Sequence, residues 1–125
     1  ERIKAQMGAA FPPRSYWVLM TRDVLPDSRN KTYEAQKVMV AAHAGRVGLP
    51  YELPHALEAA TAILMHHARE GKRLFGDEPW TFTCCQEVVD GRDPAVVGGF
   101  ESSGLPVYDF YYASYCHGVA CCRRF

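Results

Sequence analysis

The spacing of hydrophobic positions changes character near residue 80. Before it, apolar residues recur at steps of three and four, the period of a helix; after it, bulky and small polar residues alternate, the period of a strand. The clearest helical stretch is Leu53–Glu70. Leu57, Ala60, Leu64 and Ala68 mark one face, while Ala56, Ala59 and Ile63 widen it, which predicts a central helix packed on two sides. Pro54 falls in its first turn, Gly71 just past its end, and His66, His67 and Arg69 in the last turn, where the helix dipole favours cations. A second helix is predicted from Thr32, a good N-cap, to about Ala44. Glu34 lies in its first turn, and Ala35, Val38, Met39 and Ala42 form its apolar face.

Further towards the start, Glu1–Gly8 reads as a fragment of helix ended by Phe11-Pro12-Pro13. The expectation drawn from it is that the chain is a piece of a longer protein. Tyr16-Trp17-Val18-Leu19-Met20 fits either a helix over Ser15–Val24 or a buried strand, because five apolar residues carry too little periodicity to separate the two.

In the second half, Trp80–Val88 alternates as a half-buried strand does. Asp90-Gly91-Arg92-Asp93-Pro94 reads as a turn, Ala95–Glu101 as a second strand, and Leu105–Cys116 as a third after Ser102-Ser103-Gly104. His117–Phe125 offers a fourth. Gly98-Gly99 inside the second strand marks a bulge or a close backbone approach. The predicted fold is a single α+β domain over residues 1–125. Three or four N-terminal helices over residues 1–75 cover one face of a three- to four-stranded antiparallel β-meander over residues 80–125.

Charge narrows the partners. Fourteen Lys and Arg balance fourteen Asp and Glu, whereas a nucleic-acid binder usually carries a basic excess to neutralise phosphates. No run of about 18 apolar residues is present to span a bilayer. The five cysteines, Cys84, Cys85, Cys116, Cys121 and Cys122, are odd in number and include two vicinal pairs. Neighbouring strand residues point to opposite faces, so such pairs do not suit a disulfide framework, and reduced thiols in the cytoplasm are expected.

Candidate chemistry is sparse. Zinc needs about four convergent ligands, and the vicinal steps here lack the usual C-x2-C or H-x3-H spacing, so no metal or cofactor is expected. A cysteine nucleophile needs a nearby imidazole. Cys84 or Cys85 on the first strand, with His66 or His67 at the end of the central helix, are the candidate catalytic residues of a small acyl-transfer or hydrolytic enzyme. No nucleophile elbow or phosphate-binding glycine loop accompanies them.

The oddest composition is Val107–Tyr115. On a strand, Tyr108, Phe110 and Tyr112 share one face, and Val107, Asp109, Tyr111 and Tyr115 are assigned to the other. Large amphipathic rings are typical of protein contact sites, so Tyr111 and Tyr115, with Asp109 at the rim, are the candidate binding residues. The function expected from the sequence is a non-catalytic interaction or regulatory module that binds a protein partner or itself. The Cys/His enzyme and single-stranded nucleic-acid stacking on a tyrosine face are its alternatives.

Overall fold

A computed structural model describes residues 14–91, 93–109 and 117–125. The elements run β1 (Val18–Met20), α1 (Tyr33–Val47), α2 (Ala56–Glu70), β2 (Phe82–Val89), β3 (Asp93–Gly98), β4 (Val107–Asp109), β5 (His117–Gly118) and β6 (Cys122–Arg124). Both helices form where the sequence places them. Thr32 caps α1 by accepting the Ala35 amide, and Gly48 closes it in the left-handed conformation. α2 starts two residues beyond Pro54, with Glu58 accepting the backbone N–H of His55, and ends at Gly71, again left-handed.

The expected architecture needs correction. Among the described residues there are two helices and six strands in two sheets, not three or four helices over a meander. The mixture of helix and strand stands. The ambiguous segment Tyr16–Met20 carries strand β1, with Val18 and Met20 turned partly inward and Trp17 and Leu19 outward. That period-two pattern is set by a distant partner, the C-terminal strand β6, in the register Val18↔Arg124, Leu19↔Arg123, Met20↔Cys122.

The second sheet has the order β4-β3-β2-β5. Its first three strands do form an antiparallel meander, turned at Asp90 and Gly91, both of positive φ. The fourth departs from it: β5 runs parallel to β2, pairing Phe82 with His117 and Thr83 with Gly118. The chain then leaves this sheet and reaches β1. The helical reading of residues 1–10 and most of the predicted strand Leu105–Cys116, from Phe110 onwards, lie outside the described residues.

The C-terminal segment runs between the two helices. Val119 and Cys121 pack with Leu25, Val40 and Leu53 on the α1 side, while Ala120 joins Ala59, Ile63, Cys85, Ala95 and Val97 under α2. Val119 through Cys122 are fully buried. The Cys122 N–H donates to the Glu52 carbonyl, and the other three N–H groups find side-chain oxygens where ladder partners are missing. Val119 donates to Ser28 Oγ, Ala120 to Thr83 Oγ1 and Cys121 to Thr21 Oγ1.

The two helices do not share one face of the four-stranded sheet. α2 covers the side bearing Cys85, Ala95 and Val97. The other side bears Phe82, Cys84 and Val96, against which only Tyr33 of α1 packs among the described residues. Phe82, Cys84 and Val96 are nonetheless buried, and what stands open on this side is its rim, Trp80 and Tyr108.

Candidate interaction face

This second face is built by strand alternation. Phe82 lies beside His117 on β5, Cys84 beside Val96 on β3, and Val96 beside Tyr108 on β4, so all five point the same way. Phe82 is the centre. Its ring centroid lies 4.9 Å from His117, 6.1 Å from Tyr108, and 6.3 Å from Trp80, with which it is stacked at 14°. Phe82 is buried, yet Trp80 is 45% and Tyr108 51% exposed. Two half-open aromatic rings thus flank a buried one.

Two glycines make room for this arrangement. A Cβ on Gly98 would run into the Thr81 carbonyl and sit 2.6 Å from Phe82 Cα. One on Gly99 would sit 2.6 Å from Phe82 Cζ and 3.1 Å from Trp80 Cε3. Both glycines have positive φ, +150° and +65°, where L side chains are strained. The close backbone approach expected at Gly98-Gly99 is present, and it seats Phe82 and Trp80. At the edge of the cluster, Arg29 donates to Thr81 Oγ1 at 3.0 Å.

The other dense site is polar and surrounds Glu58. Its Oε2 accepts from Tyr16 Oη at 2.8 Å and Arg124 Nε at 2.5 Å. Its Oε1 accepts from the His55 amide at 2.8 Å and Arg124 Nη2 at 2.7 Å, with Cys122 Sγ at 3.8 Å. Burial would push this carboxyl up, but the hydrogen bonds from Arg124, His55 and Tyr16 together hold it below the usual glutamate range. Arg124 also reaches Glu52 at 2.8 Å and the Leu53 carbonyl. Alongside, Glu87 accepts the Ala56 amide and lies 3.0 Å from His55 Nδ1. The oxygens of Glu58 are occupied by protein donors, which suits a latch joining the segment just before β1 to α2 and β6 rather than a proton carrier.

The sequence-based candidates fall in several places. Cys84 and Cys85 point to opposite faces of β2 and both are buried, Cys84 behind Phe82 and Cys85 under α2. Burial pushes the Cys84 thiol up to about 12 and raises Cys85 well above the ordinary thiol range, with Glu87 adding to the effect at Cys85. Cys121 and Cys122 are raised by burial to about 11 and about 12. His67 packs edge-on against Phe100, ring centroids 5.1 Å apart, and His66 is half-buried beside it on α2. Asp109 pairs with Ala95 across β3 and β4, while Tyr111 and Tyr115 lie outside the described residues. No group of three or more His, Cys, Asp or Glu among the described residues is placed to hold a metal ion. No described helix is long and apolar enough to cross a membrane.

Sequence reasoning missed Trp80, Phe82 and His117 as one cluster. The alternation Trp80-Thr81-Phe82 and the Gly98-Gly99 pair were the available signals. The parallel pairing that brings His117 alongside has no local signature. Comparison with family models, curated proteins and solved structures returned no match to this chain.

Proposed function

We propose that this chain is a protein-interaction module without catalytic activity, and that its contact face is the outer side of the four-stranded sheet around Phe82. The observation that supports it is the pair of half-open rings, Trp80 and Tyr108, on either side of a buried one. Trp and Tyr are the residue types most enriched where binding energy concentrates, because a large ring orders at small entropic cost. The sheet beneath is fixed by the glycine approach and by paired strands, so the rings are held in place before a partner arrives. The free, buried thiols of Cys84, Cys85, Cys121 and Cys122 support a reducing compartment such as the cytoplasm.

Selection of ligands from a displayed random-peptide library tests this. Selected peptides should protect Trp80 and Tyr108 in chemical-shift mapping, and the double variant W80A/Y108A should lose them while remaining folded. Peptides that bind W80A/Y108A as well as the parent chain would overturn the proposal. A single-stranded oligonucleotide bound with steeply salt-dependent affinity would instead point to base stacking on the same rings.

A further inference from the structure

The sequence reads α2 as a helix packed on two sides, and the described residues cover only one. Its inner side, Ala56, Ala59 and Ile63, is buried against the sheet. Its outer side stays open: Leu57 is 52%, Leu64 48% and Met65 57% exposed, and Thr61 and Ala68 are exposed as well. Glu58, Arg69 and Glu70 are the only Asp, Glu, Lys or Arg on the helix. Glu58 turns inward, so the stripe Leu57, Thr61, Leu64, Ala68 has no charge. A surface helix ordinarily puts its charged residues there.

The stripe has a definite order. Its members follow each other at steps of four, three and four, the spacing of a seam between two packed helices, and each leucine is followed by a smaller residue. Thr61 is its one polar member. A helical threonine can turn its hydroxyl onto the carbonyl one turn back, which leaves the methyl for contact. We propose that this stripe is a self-association site, in which α2 packs antiparallel against α2 of a second copy about a two-fold axis. Antiparallel pairing sets Leu57 against Ala68 of the second copy and Thr61 against Leu64, and the two-fold repeats both contacts. Every layer then holds one leucine and one smaller residue, a complementary fit of ridge and hollow. Parallel pairing would stack leucine on leucine, threonine on threonine and alanine on alanine, with layers alternately crowded and hollow.

Charge agrees with the antiparallel arrangement. In this register Arg69, in the last turn of one helix, comes level with the first turn of the other, the end that carries the partly exposed Glu87 carboxylate, so opposite charges share each end of the contact. The two helix dipoles also oppose each other favourably. Parallel pairing would place Arg69 beside its own copy. The stripe from Leu57 to Ala68 is about 17 Å long at 1.5 Å of rise per residue. It is small beside the roughly 1,200–2,000 Å² of a standard stable interface, so the dimer should be weak and concentration-dependent.

Sedimentation velocity from about 1 to 500 µM tests the proposal, a range that brackets micromolar dissociation constants. The chain should pass from monomer to dimer within it. Thr61→Leu should weaken the dimer about tenfold or more by setting leucine on leucine, and Leu64→Thr should weaken it by leaving threonine on threonine. The swap T61L/L64T should restore it, because each leucine again faces a threonine. Greater apolarity alone would instead make T61L the tighter dimer, so that result counts against the proposed register. Both positions are exposed, so circular dichroism and the melting temperature of the monomer should stay close to those of the parent. W80A/Y108A should leave the dimer intact, which separates this site from the aromatic face. A chain that stays monomeric throughout, its stripe then serving another segment or another protein, overturns the proposal. So does a dimer indifferent to T61L, or one that the swap fails to restore.

Discussion

The Glu58 latch and the aromatic face around Phe82 are both dense clusters of large side chains, but they differ in what they leave unsatisfied. At the latch, one nearly buried carboxylate accepts from Arg124, Tyr16 and the His55 amide, and little of it remains for a ligand. At the aromatic face the rings have few polar demands, yet Trp80 and Tyr108 keep about half of their surface in water. A saturated polar cluster holds a fold together, whereas apolar surface held rigid and open has free energy left to gain from a partner. Residue types alone would have pointed the other way, because Glu, His, Tyr, Arg and Cys beside one another look like chemistry.

The comparison breaks first if the latch proves dispensable. Glu58→Ala leaves the Arg124 guanidinium without its main partner and should cost about 3 kcal/mol, the usual scale for halving a buried ion pair. For a chain of this length that lowers the melting temperature by roughly 12 °C, measurable by calorimetry. The pH dependence has a defined sign. The folded-state pKa of Glu58 is depressed, so its contribution is fully present above the unfolded glutamate value of about 4.3 and is lost as pH falls through the lower folded value. Stability curves for the parent and Glu58→Gln should therefore run parallel near neutrality and converge in acid. A difference that instead grew in acid would contradict the latch.

Next in size is the glycine pair, which sharpens the comparison because it carries the aromatic face without belonging to it. Gly99→Ala would bring a methyl against the Phe82 ring at a backbone angle that alanine resists, and should cost about 2 kcal/mol from strain and overpacking together. Gly98→Ala should cost more, since the obstacle is the Thr81 backbone, which cannot rotate away. Urea denaturation of the two variants gives the order directly. Equal, near-zero losses would mean that the glycines are not needed for the close approach.

How much of this could be read from the sequence follows from the range of each interaction. α1 and α2, with their caps at Thr32, Gly48 and Gly71, rest on residues within four positions of one another and were legible. So was the hairpin at Asp90-Gly91. The strand β1 was not, because its partner β6 lies about a hundred residues away and five apolar residues do not declare a period. The same holds for His117, brought beside Phe82 by a parallel pairing, and for Arg124, which reaches back to Glu58. The vicinal cysteines were readable as alternating small hydrophobes, and they sit that way: Cys84 and Cys85 on opposite faces of β2, Cys121 towards α1 and Cys122 beside Glu58. What the sequence could not convey was the exposure of Trp80 and Tyr108, which is set by how distant segments pack and not by local pattern.

The thiols give a further measure of enclosure. With Cys84, Cys121 and Cys122 raised to about 12, 11 and 12 by burial, and Cys85 raised well above its ordinary value by the same cause, hardly any thiolate exists at neutral pH. Iodoacetamide at about pH 7.5 should leave these four unmodified on the native chain and label them all after denaturation, as peptide mass mapping would show. Fast native labelling of Cys84 or Cys85 that disappears when His66 and His67 are replaced would move the reading towards a cysteine enzyme.

The smallest expected change in stability belongs to the aromatic face, and it is the most informative. Trp80→Ala and Tyr108→Ala each remove a ring already half in water, so each should cost about 1 kcal/mol of folding stability or less. If the face is a contact site, the same substitutions should weaken a selected peptide by roughly 30-fold apiece, the scale of a binding hot spot. The ratio of the two effects decides the matter, because a ring that matters for packing loses stability first and a ring that matters for binding loses affinity first. Tyr108 is the cleaner probe. It sits on the sheet's edge strand, and its contact with Phe82 is the tilted one at 6.1 Å, whereas Trp80 is stacked on Phe82 and guards Gly99. Affinity lost at Tyr108 with the melting temperature unmoved would identify the face as a surface kept open for a partner. Stability lost in step with affinity would make the two rings the rim of an ordinary core.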